Sequence, residues 1–140
     1  MPARATAEWK GDLKSGEGTF TAGESIGGRY SYKTRFEDEP GANPEQLIAA
    51  AHASCFSMAL AAALGDAGTP ADPVKTGAVV TLRFVDGAPT ITSIALSTEG
   101  RVPGIDEQTF KATAEEAKRG CPVSRALAGV PEVTLEATLV

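Results

Sequence analysis

Hydrophobic and polar positions along this chain fall into stretches of period two and stretches of helical period. Ala3 to Lys10 partly alternates, with Thr6 and Trp9 as strand formers, and Gly18–Ala22 and Tyr30–Phe36 follow the same pattern. Gly16, Gly18, Gly23, Gly27 and Gly28 punctuate these stretches, so three short antiparallel strands joined by glycine turns are predicted. After the polar loop Glu37–Asn43, the run Asn43-Pro44-Glu45 reads as a helix start, with an amide N-cap, proline in the first helical position and an acid in the first turn. This helix is predicted to reach about Gly65. It is apolar nearly all round, so other elements must enclose it.

Beyond the connector Gly68–Pro73, Lys75–Val85 and Pro89–Glu99 carry β-branched residues and predict two strands. Asp86-Gly87 marks the hairpin turn, lengthened by Ala88-Pro89. Asp106–Arg119 reads as an amphipathic helix closed by Gly120, Pro122–Leu127 as a short second helix, and Val133–Val140 as a strictly alternating final strand. The order β-β-β-α-β-β-α-α-β, with strands in blocks, indicates an α+β fold with antiparallel sheets. Residues 1–140 are expected to form a single domain.

Composition narrows the function classes. The chain is 42% hydrophobic and 22% charged, which is ordinary for a soluble globular protein. A formal net charge of -5 and the lack of any dense basic cluster argue against nucleic acid as a partner. Met1–Lys10 has no apolar core of a secretory signal, so a reducing, cytoplasmic setting is expected. Leu47–Leu64 carries no formal charge and sits at the lower edge of a membrane-spanning length. Its alanines, His52, Ser54, Cys55 and Ser57, and the absence of flanking Lys or Arg, favour a core helix over a membrane span.

Two cysteines remain as candidate chemistry. Cys121 follows Gly120 and precedes Pro122 at a predicted helix start, where a thiolate is favoured; a small residue filling a cap is the alternative reading. Cys55 lies mid-helix among apolar residues, where burial alone leaves a thiol inert unless a cation reaches it. Arg35 and Arg125 are the candidates. Glu45 reads first as a helix-dipole acid. His52 is either a base for Cys55 or a hydrogen-bonded core residue. Ser54, Ser57 and Ser124 lack a G-x-S-x-G elbow, so serine hydrolysis is unsupported. One histidine and two cysteines without ligand spacing do not suggest a metal site.

Thr34-Arg-Phe-Glu37, the run Asn43–Leu60 containing N-P-E-Q-L-I-A-A-A-H-A-S-C-F, Val102-Pro-Gly-Ile-Asp106 and Gly120-Cys-Pro-Val-Ser124 together resemble the osmotically inducible protein C branch of the OsmC/Ohr family. The resemblance implies a thiol-dependent peroxidase that reduces organic hydroperoxides. It assigns Cys55 as the peroxidatic and Cys121 as the resolving cysteine, with Arg35 pairing the thiolate and Glu45 holding Arg35. It also implies an external dithiol reductant of lipoyl type, no metal, flavin or haem, and antiparallel sheets wrapped around a long central helix in an intertwined homodimer.

Helix geometry bears on the dimer. Glu45 and Cys55 lie roughly 15 Å apart along one helix axis. Arg35 and Glu45 are therefore expected to act on the Cys55 of a second subunit, giving two composite sites. Phe36, Phe56, Met58 and Leu60 are expected to wall an alkyl-chain pocket. Two rival readings stay open: a non-enzymatic redox sensor that uses the same disulfide as a switch, and a ligand-binding module in which both thiols are filler.

Overall fold

In a computed structural model that describes all 140 residues, the chain divides into two units, Met1–Leu47 and Ile48–Val140. The first unit is the glycine-punctuated segment. Its strands β1 (Ala5–Lys10), β2 (Glu17–Ala22) and β3 (Ile26–Tyr30) form an antiparallel sheet in the order β1-β2-β3. Gly18 faces Trp9 on one side and Tyr30 on the other, and the two rings meet over it with centroids 5.5 Å apart.

The third strand is not the one the alternation predicts: β3 runs through Gly27 and Gly28, read as turn glycines, and of the predicted Tyr30–Phe36 it includes Tyr30 alone. Tyr32–Phe36 is a short helix, α1. Ser31 caps it: Thr34 N–H donates to Ser31 Oγ, and Ser31 N–H donates back to Thr34 Oγ1. This reciprocal box satisfies donors that a strand would have offered to a ladder, and the Tyr32 and Phe36 rings stack at 4.9 Å across one turn.

The long helix α2 (Pro44–Asp66) starts as the sequence indicates, with Gln46 N–H donating to Asn43 Oδ1. Its enclosure is one-sided. His52, Phe56, Leu60 and Leu64, one turn apart in succession, are buried. Ala50, Ala51, Ser54, Ala61 and Ala62 are exposed, and Met58 is 75% exposed. By length and composition alone α2 qualifies to cross a membrane, but its buried stripe packs into the core of the second unit.

That core joins Phe56, Leu60 and Leu64 to Ile94, Leu96, Val102, Phe110, Ala114 and Ala117. Strands β4 (Val74–Val85) and β5 (Ala88–Gly100) form a long hairpin. Its turn is tighter than expected: Ala88 and Pro89 pair with Val85 and Phe84, leaving Asp86 and Gly87 as the loop. Both have positive φ, 50° and 80°, as a two-residue hairpin of matching twist requires. Helix α3 (Glu107–Gly120) is N-capped by Asp106, α4 (Pro122–Ala126) follows, and β6 (Glu132–Leu139) closes the sheet in the order β4-β5-β6.

The expectation of antiparallel sheets needs one correction. β6 runs parallel to β5, Ile94 facing Val133 and Leu96 facing Leu135, so the second sheet is mixed. The reason is the α3–α4 crossover, which carries the chain back to the end of the sheet where β5 began. Phe110 anchors that crossover. A Cβ placed on Gly100 would stand 2.5 Å from its ring. Gly100→Ala is therefore expected to destabilise the fold by about 1–3 kcal/mol, read as a lower urea midpoint with an unchanged slope.

Candidate active site

The buried stripe of α2 delivers Cys55 to the start of α4. Cys121 is the N-cap of that short helix, and it is fully buried, whereas Cys55 is half-buried; both are free thiols. The two thiols lie close enough that each shifts the other's ionisation, and the Val123 N–H acts on both. The structure therefore brings together the two cysteines that the sequence places 66 positions apart (121 − 55).

Their electrostatics differ in sign. Burial pushes the Cys55 thiol up. The Val123 N–H and the more distant charge of Arg125 oppose this without overcoming it, and the Cys121 sulfur adds to the rise. Burial acts on Cys121 in the same sense, but the Ser124 hydroxyl, the Ser124 N–H and the Cys55 thiol together outweigh it and hold Cys121 below the ordinary thiol value. Within the lone chain Cys121 is thus the more readily ionised of the two thiols. Arg125 is the basic side chain that acts on Cys55 here.

Ser124 sits one turn into α4, and its N–H and Oγ each lie 3.4 Å from Cys121 Sγ. Its hydroxyl is also 2.7 Å from His52 Nε2, a contact that links α4 back to α2. His52 is completely buried, and burial holds its imidazole below the usual value and hence neutral. Considered only as a possible hydrolase serine, Ser124 was otherwise undistinguished in the sequence. The signal was its spacing, three residues after the N-cap cysteine, where a backbone N–H meets the cap side chain.

The other predicted pair lies in the first unit. Arg35, on α1, grips Glu45, in the first turn of α2, through both Nε, 3.2 Å from each carboxylate oxygen, and Nη2, 2.7 Å from Oε1. Nη1 takes no part in this fork. Glu45 is almost wholly buried and Arg35 about one-third exposed, so the carboxylate serves as a fixed socket for a guanidinium that still reaches solvent. Asn43 Nδ2 donates to the Thr34 carbonyl and ties the two helix ends together. Of the four residues expected to line an alkyl pocket, Phe56 and Leu60 belong to the core instead, because they share the buried stripe with His52 and Leu64.

An α+β chain whose long helix presents one free thiol to a second thiol at a helix cap is a two-cysteine thiol protein. Residues 36–136 match the family model described as OsmC-like protein, and the chain belongs to that family. It is 47% identical over 135 residues to the peroxiredoxin OsmC of Escherichia coli (strain K12), spanning 95% of this chain and 93% of that one. It is 33% identical over 98 residues, 68% of this chain and 66% of the other, to the organic hydroperoxide resistance protein of Xanthomonas axonopodis pv. citri (strain 306). Among solved structures, an OsmC-like protein of unknown function from Vibrio cholerae superposes with a TM-score of 0.76 at 17% identity, covering 98% of this chain and 99% of that one. The organic hydroperoxide resistance protein OhrB of Bacillus subtilis gives 0.72 at 23%, covering 100% and 98%. At these identities the two structures establish the fold.

Two outcomes follow from the site's electrostatics. Arg35→Ala strands a buried carboxylate and is expected to lower stability by about 2 kcal/mol, with Glu45→Gln costing less, both read by urea denaturation. His52 is the sole histidine, and its folded value lies below the unfolded 6.5. The unfolded chain then takes up the proton first. Its contribution to stability is present above the unfolded value and is lost as pH falls toward the folded one. Stability should drop between about pH 7 and pH 5, and His52→Gln should flatten that segment of the curve.

Proposed function

We propose that residues 1–140 form one OsmC-like domain that reduces organic hydroperoxides to alcohols, working as a homodimer with a dithiol reductant. The relatives named peroxiredoxin and organic hydroperoxide resistance protein support a peroxidase activity. The observation that carries the mechanism is that free Cys55 and free Cys121 lie close enough to act on each other's ionisation.

Cys55 is the peroxidatic residue. Its thiolate attacks the terminal oxygen of the hydroperoxide; the S–O bond forms, the O–O bond breaks, and the alkoxide takes a proton and leaves as alcohol. Cys121 then attacks the sulfur of the resulting sulfenic acid. A disulfide forms and hydroxide leaves as water. An external dithiol of lipoyl type reduces the disulfide by exchange, becoming a disulfide itself. Neither a metal nor an organic cofactor enters this cycle.

Arg35 supplies the positive charge that Cys55 lacks in the lone chain, with Glu45 as its socket. Because about 15 Å of helix axis separates Glu45 from Cys55, the reading assigns Arg35 and Glu45 of one protomer to the Cys55 of the other. The exposed apolar face of α2, Met58 at its middle, supports such pairing: it is the kind of surface a second copy covers. Exposed Met58 also offers an alkyl chain a soft apolar contact beside the site. The setting is cytoplasmic, where dithiol reductants keep thiols reduced.

A redox switch is the second reading, favoured by the raised value of Cys55 in the lone chain, which would slow peroxide attack. Stopped-flow reduction of cumene hydroperoxide under steady dithiol supply separates the two. An enzyme turns over many times, whereas a switch reacts once. Cys55→Ser is expected to be inactive, Cys121→Ser to react once and stall, and Arg35→Ala to be at least tenfold slower at neutral pH with partial recovery at high pH (one pKa unit is a factor of about ten). Equal rates with hydrogen peroxide would refute the preference for alkyl substrates.

A further inference from the structure

His52 and Ser124 have no role in the cycle described so far, yet they stand between α2 and the second cysteine. We infer that His52, acting through Ser124, directs a hydroxyl proton at Cys121 Sγ and so holds that sulfur as the nucleophile that closes the disulfide with Cys55. The role assigned to Cys121 rests on the peroxidase reading above; the hydrogen-bond relay rests on geometry alone.

Three observations carry it. His52 is completely buried, yet its Nε2 makes a short, 2.7 Å contact to Ser124 Oγ. That hydroxyl lies 3.4 Å from Cys121 Sγ, so one oxygen meets both the imidazole and the sulfur. His52 Nδ1, also buried, has no hydrogen-bond partner. An imidazole kept only for packing would be expected to satisfy both nitrogens. The orphan also fixes the proton. If Nδ1 carried it, a buried N–H donor would go unpaired; with the proton on Nε2, only a lone pair is left unmet, which is the more tolerated state. Nε2–H then donates to Ser124 Oγ, and the hydroxyl hydrogen is left free to turn toward Cys121. His52 and Ser124 are thus positioning residues. Neither touches the peroxide.

In the resolving step the Cys121 thiolate pair attacks Cys55 Sγ; the S–S bond forms, the S–O bond of the sulfenic acid breaks, and hydroxide departs and takes a proton from solvent. The oxidising equivalents come from the hydroperoxide. The groups that act on Cys121 are Cys55 from α2 and the Val123 N–H and Ser124 from α4; His52, also on α2, reaches it only through Ser124, and Arg125 acts on Cys55. Lys118, near the end of α3, is engaged by Glu115 and the Val133 carbonyl.

The test is an ultraviolet thiolate titration of Cys121 in a Cys55→Ser background, without peroxide. Adding Ser124→Ala should lower the thiolate fraction near neutral pH by roughly tenfold, the weight of one hydrogen bond to a charged group. His52→Leu should act in the same direction by a smaller factor, and His52→Gln, which keeps a donor near the Nε2 position, should restore the titration. In the Cys55-containing chain the same substitutions should lengthen the lifetime of the sulfenic acid without slowing its formation, because charge that Cys121 gives up becomes available to Cys55. A Cys121 titration unmoved by Ser124→Ala overturns the inference, as does His52→Gln behaving like His52→Leu, which would make the ring a packing element. Ser124→Ala removes one oxygen from a half-buried site, so it reports even if the His52 variants do not fold. A Cys55 that ignores hydroperoxides would defeat the peroxidase reading and leave the titration to judge the relay independently.

Discussion

Everything at this site turns on two neighbouring sulfurs, one buried and one half-buried, that act on each other's ionisation. Such a pair holds one negative charge readily and two at great cost, so the question is which sulfur has it. In the lone chain Ser124 donates twice to Cys121, while Cys55 has only the Val123 N–H, which also acts on Cys121, and the charge of Arg125 against the cost of burial. Cys121 is the more readily ionised. In the proposed cycle, peroxide attack by Cys55 calls for the charge on the other sulfur, and a guanidinium beside Cys55 would favour it there. Arg35, fixed on a buried carboxylate and still open to solvent, is the side chain to which the proposal gives this task. The same bias then helps the second half of the cycle. Once Cys55 is oxidised it no longer competes for the charge, and Cys121 is the sulfur the chain already favours as thiolate.

The fold favours, for the proposed cycle, a charge that comes from outside the pair's own surroundings. α2 is buried on one stripe only, and that stripe carries His52, Phe56, Leu60 and Leu64 into an apolar core. Cys55 sits at its edge, half-buried, between that core and an exposed face of small apolar residues. A cation built into the core side would have no water and few partners, at a cost no single thiolate repays. A cation brought over the open face stays solvated until it docks. The proposed dimer is consistent with this: the face of α2 that would receive the charge, with Met58 at its middle, is exposed in the single chain.

Much of this was legible in the sequence, and the exceptions have physical causes. Asn43-Pro44-Glu45 announced α2 because the capping chemistry is local, and Asp106 and Gly120 bounded α3 for the same reason. Tyr32–Phe36 looked like a strand because its alternation is real. The Ser31–Thr34 box overrode it, and Thr in place of the usual Glu or Gln partner made that box harder to see. β6 alternates just as its pattern says, but alternation carries no direction, so its parallel pairing with β5 was not readable. The candidate site divided in the same way. Cys121 as a cap could be inferred from Gly120 and Pro122, and the dominance of local hydrogen bonds over burial at that thiol matches the lean that helix-start position suggested. The meeting of Cys55, His52 and Ser124 is a tertiary fact, and no spacing encodes it.

The placement of His52 shows how a structural and a chemical role can coincide. Buried and neutral, it adds no charge to a site where charge is the controlled quantity. A lysine or arginine there would pin a negative charge on Cys121 permanently and oppose its transfer to Cys55. An alanine would leave the Ser124 hydroxyl free to rotate between donors and acceptors. An imidazole donating through Nε2 does neither: it turns the hydroxyl toward Cys121 and favours its thiolate without fixing the charge there. The unpaired Nδ1 is the cost of that choice, a buried lone pair tolerated because meeting it would require another donor inside the apolar stripe of α2. The orphaned atom and the movable charge are in this sense one design constraint: a thiol pair that must change which sulfur is ionised needs neighbours that orient protons and carry no charge themselves.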